Sequence, residues 1–163
     1  YDESTGQLAN RKSIVDRMLR RLRLADTEVQ ALPLMSKDSQ LMTDADRERV
    51  AEAVRLAGAA PDVPADTTGI VILHGTDTLE NTGDLLHRCF PSPTVPIVLT
   101  GAMRPFEMRR SDALQNLTEA LFAAGVLAPG VYCVAHGRAL RFPGVKKDRA
   151  TGTFTGPSAE PRR

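Results

Sequence analysis

A hydroxyl and a carboxylate follow an apolar run in the stretch Ile70–Glu80 (I-V-I-L-H-G-T-D-T-L-E). Thr76 and Asp77 come where a buried strand should end and a helix should begin, so the free backbone N–H groups of the helix start lie beside them. A hydroxyl, a carboxylate and N–H donors at one point can bind a small ligand and exchange protons with it. Such a turn is a usual ligand site in an open α/β sheet, and the stretch therefore predicts an active site.

Two further polar clusters follow predicted strands. Asp38-Ser39-Gln40 follows the predicted strand Thr27–Met35, and Thr100-Gly101-Ala102 follows the predicted strand Val95–Leu99. Because the carboxyl ends of parallel strands share one edge of a sheet, these clusters are expected to converge with the first one. The sequence has no G-x-x-x-x-G-K-[ST] or G-x-G-x-x-G motif, which disfavours a nucleotide as the ligand.

Simpler roles compete with catalysis for several of these residues. Thr76 or Asp77 could serve only as the helix N-cap, a common role for Thr and Asp at this place. His74 ends the strand with no serine in a G-x-S-x-G motif nearby, so we predict a packed, hydrogen-bonded structural histidine rather than a general base. His87 and His136 are predicted on a helix surface and in a turn. The histidines lack metal-ligand spacing, which argues against a zinc hydrolase.

The elements that would position these residues alternate along the chain. Strands are predicted at Gly69–Leu73, Val95–Leu99 and Gly130–Ala135. The segment Arg138–Val145 is predicted to pair with the last of these strands or to lie at the sheet edge. Helices are predicted from about Ser13, from a Thr43 cap to Gly58, from Thr78 to His87, and from a Ser111 cap through Phe122. This alternation predicts a three-layer α/β/α fold with a mainly parallel sheet, Rossmann/flavodoxin-like. Residues 1–163 are predicted to form a single domain, with a loop at Tyr1–Asn10 and a disordered tail at 156–163.

Composition favours a small partner. The chain has 21 Lys plus Arg against 20 Asp plus Glu, a formal net charge of +1, which gives no electrostatic reason to expect nucleic acid or a membrane surface. The basic run Arg17–Arg23 is predicted to be a solvated helix face, because no aromatic residue is interleaved for base stacking. Cys89 and Cys133 are predicted to be buried free thiols of a reducing cytoplasm. No apolar run of the sequence is long enough to cross a membrane, and a cytoplasmic location is expected.

Several ordered motifs resemble the bacterial-type L-asparaginase/glutaminase family, in particular its short, single-domain members. They are K-D-S-Q-L-M-T-D (37–44), H-G-T-D-T (74–78), L-T-G-A-M-R-P (99–105), S-D-A-L-Q-N-L (111–117) and V-K-K-D-R (145–149). The resemblance implies hydrolysis of the side-chain amide of L-asparagine, and often of glutamine, through an acyl-enzyme on a threonine and without a cofactor. It also implies a homo-oligomer, a dimer or a tetramer.

The resemblance implies catalytic roles at matched positions. Thr76 and Asp77 match the family's T-D pair, and Lys147 matches the lysine that works with them, whereas Lys146 is expected to be solvated on the opposite side of an extended segment. A lysine accepts a proton only in its neutral form, which burial favours and a nearby carboxylate opposes. Tyr1 matches the accessory tyrosine that helps to activate the nucleophile. The backbone N–H of Thr76 is, as a hypothesis, a contributor to oxyanion stabilisation.

The same resemblance implies a set of residues that bind the substrate. Ser39 matches the position that binds the α-carboxylate, while Gln40 and Asp77 match those that hold the α-ammonium. Ala102 matches a backbone carbonyl that contacts the side-chain amide. The predicted substrate-binding residues are Asp38, Ser39, Gln40, Gly75 and Ala102.

Two departures from the family pattern leave alternatives open. The family's opening T-G-G-T motif, whose second threonine is the usual nucleophile, does not occur in these residues, so the first strand and the nucleophile are expected upstream of Tyr1. The C-terminal domain of the long members has no counterpart after Lys147. The preferred prediction is an asparaginase. The alternatives are a non-catalytic amino-acid-binding domain, a glutaminase-preferring member, and the asparaginase-like subunit of a tRNA-dependent amidotransferase.

Overall fold

The computed structural model describes residues 14–62 and 66–158. The helical segments are α1 (Val15–Leu19), a 3₁₀ turn (Ser39–Leu41), α2 (Asp44–Val54) continued by a π-helical turn (Arg55–Ala59), α3 (Leu79–Cys89) and α4 (Ala113–Val126). The strands are β1 (Ile70–Leu73), β2 (Pro96–Thr100), β3 (Gly130–Ala135), β4 (Arg138–Arg141), β5 (Lys146–Asp148) and β6 (Thr153–Thr155). Apart from the strand predicted at Thr27–Met35, the helices and strands predicted in this part of the chain are confirmed to within a few residues.

Strands β1 to β4 form a mainly parallel sheet in the order β1-β2-β3-β4. β1, β2 and β3 run parallel, with Ile72 opposite Leu99 and Leu99 opposite Cys133, and β4 pairs antiparallel with β3. The segment after β3 therefore pairs with it, which is one of the two predicted arrangements. β5 and β6 form a separate antiparallel hairpin, in which Lys147 lies opposite Phe154.

Helices pack on both faces of this sheet, which confirms the three-layer prediction. On one face, Ile97 and Leu99 of β2 belong to a buried cluster with Leu86 of α3. On the other face, Val98 packs with Ala120 of α4. Successive residues of a strand point to opposite faces, so a sheet covered on both sides needs strands that are apolar throughout. Every residue of β2 and β3 is buried, and the polar Thr100 at the end of β2 donates its hydroxyl to the carbonyl of Val134.

One predicted strand is wrong. Residues 27–35 have no regular structure, and Val29 and Leu32 are 37% and 72% exposed. Pro33 has no N–H to donate to a neighbouring strand. The strand prediction rested on apolar residues, and these side chains do not share the buried face that would hold a strand in place.

The helix ends follow local side-chain chemistry. The Thr43 hydroxyl accepts the N–H of Asp46, and the Asp46 carboxylate accepts the N–H of Thr43, which confirms the predicted cap of α2. The helical backbone stops at Gly58, where φ is 95°, a left-handed conformation that favours glycine. At α4 the N-cap residue is Asp112. The predicted Ser111 cap is off by one residue, although the Ser111 hydroxyl accepts the first N–H of α4.

The two cysteines differ in burial. Cys133 lies buried in β3, and burial raises the pKa of its thiol to about 12. Cys89 is exposed at the end of α3, so the prediction that both thiols are buried is wrong for Cys89. The reason is local, because the neighbouring Phe90 turns into the core there instead, with 7% of its surface exposed.

The beginning of the predicted disordered tail is ordered. The N–H of Arg141 donates to the carbonyl of Pro157 at 2.7 Å, and Ser158 forms a β-bridge with Leu140. Residues 156–158 therefore differ from the prediction, while residues 159–163 lie outside the described residues, as do residues 1–13 with the predicted loop and Tyr1. Across the part of the chain that the structure describes, helices long and apolar enough for a membrane span are absent.

Candidate active site

Lys147 meets Thr76 and Asp77 at the carboxyl edge of the parallel sheet. Its Nζ lies 2.7 Å from Thr76 Oγ1 and 2.8 Å from Asp77 Oδ1. Thr76 is buried, and the side chains of Lys147 and Asp77 are only 16% and 22% exposed. The fold thus brings these three predicted side chains together, with an amine held between a hydroxyl and a carboxylate and mostly shielded from solvent.

These side chains come from different local structures. Thr76 and Asp77 lie in the turn between β1 and α3, while Lys147 is the middle residue of β5. Helix α3 begins at Leu79 with Thr78 as its N-cap residue, so neither Thr76 nor Asp77 has that role. Both lie beside the positive end of the α3 dipole, which favours a carboxylate and any negative charge that develops on a ligand.

The carboxylate of Asp77 is held by several donors. Besides Lys147, the Nε2 of Gln40 donates to Oδ2 at 2.8 Å, and an Nη of Arg149 lies 3.0 Å from Oδ1. The hydrogen bond from Lys147 contributes most to lowering the pKa of Asp77, followed by the one from Gln40, whereas burial acts in the opposite direction. Asp77 is therefore an anion at neutral pH.

The Asp38-Ser39-Gln40 segment reaches the site although residues 27–37, which come directly before it, form no strand. Asp38 Oδ1 accepts the N–H of Gln40 at 2.9 Å, which shapes the 3₁₀ turn. The hydroxyl of Thr78 donates to the carbonyl of Ser39 at 2.8 Å. Gly75 permits this close approach, because a Cβ at Gly75 would lie 2.5 Å from Ser39 Oγ. The 3₁₀ turn is thus fixed directly against the β1–α3 turn.

The end of β2 forms the other side of the site. The carbonyl of Thr100 accepts the N–H of His74 at 2.8 Å. A Cβ at Gly101 would lie 2.2 Å from the carbonyl oxygen of His74 and 3.2 Å from Thr76 Cγ2. Ala102 follows directly and is partly buried. All three polar clusters singled out in the sequence therefore meet at one edge of the molecule.

His74 is packed and hydrogen-bonded, the role that the sequence favoured. Its Nδ1 donates to the carbonyl of Gly75 at 2.7 Å, and its Nε2 accepts from the hydroxyl of Thr82 at 2.8 Å. The pKa of His74 is lowered, mainly by burial. The hydrogen bond to the Gly75 carbonyl raises this pKa, and the charge of Arg47 lowers it further. Within residues 14–62 and 66–158, no three His, Cys, Asp or Glu side chains are grouped as a metal site would require.

Glu80 and Arg149 contact the catalytic candidates without having been predicted. The Glu80 carboxylate accepts the backbone N–H of Lys147 at 2.9 Å and pairs with the Nζ of Lys146 at 3.2 Å. An acidic residue is common in the first turn of a helix because it interacts favourably with the helix dipole. Its presence in the sequence therefore did not indicate a contact with Lys147. The Lys146 side chain is 60% exposed, as predicted.

Asp112 fixes the loop that follows β2. Its carboxylate accepts the N–H groups of Met103 and Arg104, both at 2.9 Å, and a hydrogen bond from His136 Nε2 at 2.8 Å. Burial raises the pKa of Asp112, but these hydrogen bonds outweigh it and keep the pKa below its usual value. His136, in the β3–β4 turn, also contacts Thr153 Oγ1 at 2.9 Å. The network thereby joins the loop after β2 to the β5–β6 hairpin.

Comparison with known sequences gives one family and two kinds of relative. The chain matches the family model "Asparaginase, N-terminal" over residues 1–162. It is 37% identical over 105 residues to an L-asparaginase of Thermococcus kodakarensis, a match that covers 64% of this chain and 30% of that protein. It is 46% identical over 69 residues to the D subunit of the glutamyl-tRNA(Gln) amidotransferase of Methanococcus vannielii, covering 42% of this chain and 16% of that protein.

Solved structures give the same α/β architecture. The thermostable L-asparaginase of Thermococcus kodakarensis superposes with a TM-score of 0.76 at 30% identity, over 86% of this chain and 42% of that one. L-asparaginase I of Vibrio cholerae superposes with a TM-score of 0.65 at 31% identity, over 77% of this chain and 37% of that one. The chain therefore spans less than half the length of each of these relatives.

Proposed function

The chain belongs to the asparaginase family, whose N-terminal family model covers residues 1–162, and from this premise we propose that it is an amidohydrolase that converts L-asparagine and water into L-aspartate and ammonia. The observation that carries the proposal is the position of Lys147 Nζ, 2.7 Å from Thr76 Oγ1 and 2.8 Å from Asp77 Oδ1. An amine held between a hydroxyl and a carboxylate can take up a proton and return it to a leaving group.

The proposed substrate carries a cation and an anion at a fixed separation, and the site offers a partner for each. Asp77 is ionised at neutral pH because its pKa is lowered, so its carboxylate can pair with the α-ammonium. Gln40 gives its Nε2–H to Asp77 at 2.8 Å, so its Oε1 is the atom that would accept a second hydrogen bond from the ammonium. The Ser39 hydroxyl is the proposed donor to the α-carboxylate.

The proposed reaction has two acyl-transfer steps. A threonine hydroxyl oxygen attacks the amide carbon of asparagine, and its proton passes through the amine of Lys147 to the departing nitrogen. The C–N bond breaks, ammonia leaves, and an ester remains on the threonine. Water then attacks the ester, its proton returns through the same amine to the threonine oxygen, and aspartate leaves as the C–O bond breaks. The backbone N–H of Thr76, in the β1–α3 turn, would stabilise the oxyanion.

An ammonia-producing component of an amidotransferase is the second candidate function. The identity of 46% over 69 residues to the D subunit of an amidotransferase supports it. The same site would then release ammonia from an amide for use by a partner protein. Dependence of turnover on a partner separates this candidate from a free-standing asparaginase.

The test is ammonia release from L-asparagine and from L-glutamine by the natural full-length protein, purified without a partner. Faster release from L-asparagine supports the proposal, whereas release from L-glutamine alone indicates a glutaminase. Calorimetric titration with L-aspartate shows whether the amino-acid site is formed. Binding of L-aspartate without release from either amide contradicts the proposal and favours a non-catalytic binding domain.

We also propose that the protein is a homo-oligomer, a dimer or a tetramer. Light scattering on the same sample tests this part of the proposal.

A further inference from the structure

Glu80 holds the strand that carries Lys147. One carboxylate oxygen of Glu80 accepts the backbone N–H of Lys147 at 2.9 Å, and the other lies 3.2 Å from Lys146 Nζ. We propose that Glu80 is a positioning residue, which sets the register of β5 so that Lys147, and not Lys146, enters the catalytic site. This inference rests on the proposed function, because it names the residue that places the proposed proton carrier.

The register of β5 matters because the two lysines are adjacent. Neighbouring residues of a strand point to opposite sides, so a slip of one residue would exchange Lys147 for Lys146 at the site. β5 has three residues and pairs with β6 through a short ladder. The sequence K-K alone does not specify which lysine points inward, whereas Glu80 engages both, one through its backbone and the other through its side chain.

Glu80 also ties this strand to the other half of the site. It lies in the first turn of α3, three residues after Asp77 and four after Thr76. Glu80 is therefore close in sequence to both residues that Lys147 must reach, which lie in the turn that leads directly into this helix. The contacts of Glu80 with β5 span 66 and 67 residues of sequence. They hold Lys147 beside the turn that carries Thr76 and Asp77.

A simple helix-dipole role for Glu80 makes a different prediction. A carboxylate in the first helical turn interacts favourably with the helix dipole whether its side chain is as short as Asp or as long as Glu. The hydrogen bond to the N–H of Lys147 instead requires an acceptor oxygen at the length of a Glu or Gln side chain. Glu80→Asp keeps the charge and shortens the reach, while Glu80→Gln keeps the reach and removes the charge. The two roles therefore predict opposite orders for these variants.

The experiment compares these variants in the natural full-length protein, with Lys146→Ala as the matched control for the exposed ion pair. We expect Glu80→Asp to lose about a hundredfold in kcat with little change in KM, because a displacement of about 1 Å at a reacting group costs roughly that much. Glu80→Gln and Lys146→Ala should keep most of the parental kcat. Parental kcat in folded Glu80→Asp, or a larger loss in Glu80→Gln than in Glu80→Asp, overturns the proposal.

A second readout does not depend on turnover. Amide hydrogen exchange at Lys147 should be slow in the parent and in Glu80→Gln, and fast in Glu80→Asp. If the parent releases no ammonia, the proposed function fails, and this order of exchange rates still decides whether Glu80 positions Lys147. Equal exchange in all the proteins overturns the positioning role even where ammonia is released.

Discussion

Lys147 Nζ lies 2.7 Å from Thr76 Oγ1 although 71 residues separate the two in the chain. The β1–α3 turn and the β5–β6 hairpin, which carry the two residues, are also joined by the hydrogen bonds that Lys146 and Lys147 donate to the Glu80 carboxylate. A hydroxyl and an amine at this distance can share a proton. Their substitutions should therefore not be additive in their effects on turnover.

Lys147→Met should abolish most turnover. Methionine fills a similar volume but cannot accept a proton, so we expect kcat for ammonia release to fall by about a hundredfold to ten-thousandfold. The matched control is Lys146→Met, one residue away, where the side chain is 60% exposed. Near-parental kcat is expected for the control. Equal losses in the two variants would show that the hairpin, and not the amine, had been damaged.

Thr76→Val tests the hydroxyl separately from the volume of the side chain. Valine keeps the shape of this buried residue but removes the hydroxyl that contacts Lys147 Nζ and leaves only its contact with Asp77, so kcat should fall by about a hundredfold or more. Thr76→Ser keeps the hydroxyl and should retain much more activity. Steady-state ammonia assays with thermal melts separate chemistry from folding. A Thr76→Val protein as active as Thr76→Ser would remove the hydroxyl from the mechanism.

Much of the fold could be predicted from residue patterns, because burial on both faces leaves a clear signature. The bounds of β3, Gly130–Ala135, were predicted correctly from a continuous apolar run. The strand predicted at Thr27–Met35 failed, because apolar composition alone does not provide a pairing partner. The convergence of the clusters after β1 and β2 followed from their parallel pairing, whereas Asp38-Ser39-Gln40 reaches the site from residues 27–35, which form no strand. The contacts of Glu80 could not be predicted, since they depend on a hairpin register that the sequence K-K leaves undetermined.

Asp77 should link stability to pH. Its pKa is lowered from the usual 3.8, chiefly by the hydrogen bond from Lys147, so the folded state binds this proton more weakly than the unfolded state does. The stabilisation is present above the unfolded pKa and is lost as the pH falls through the lower, folded pKa. We expect the difference in unfolding free energy between the parent and Asp77→Asn to be constant from about pH 5 to about pH 8 and to shrink below about pH 4.

Urea unfolding across this pH range measures that difference. The comparison with Asp77→Asn removes the contribution of Asp112, whose pKa is also lowered and which both proteins retain. A difference that grows as the pH falls below about 4 would have the wrong sign for a depressed carboxylate pKa and would contradict the assignment.

Asp112→Asn should loosen the loop after β2. The new amide NH₂ would face a backbone N–H that the carboxylate now accepts, either that of Met103 or that of Arg104. Losing one charged hydrogen bond costs about 2 kcal/mol of unfolding free energy. Because the loop carries Ala102, a proposed substrate contact, KM for L-asparagine should rise by a larger factor than kcat falls. A change confined to kcat would contradict a role in holding this loop.

Gly75→Ala should weaken substrate binding through Ser39. The added Cβ would lie 2.5 Å from Ser39 Oγ and 2.7 Å from Ser39 Cβ, distances that force the 3₁₀ turn away from the β1–α3 turn. Ser39 and Gln40 would then lose their alignment with Asp77, so KM should rise and L-aspartate should bind more weakly in calorimetry.

The matched control is Gly125→Ala in α4, where a Cβ would meet nothing within 4 Å. That substitution should stabilise the protein by about 0.5–1 kcal/mol and leave KM unchanged. Parental KM in Gly75→Ala would show that the close approach of Gly75 to Ser39 does not align the substrate site.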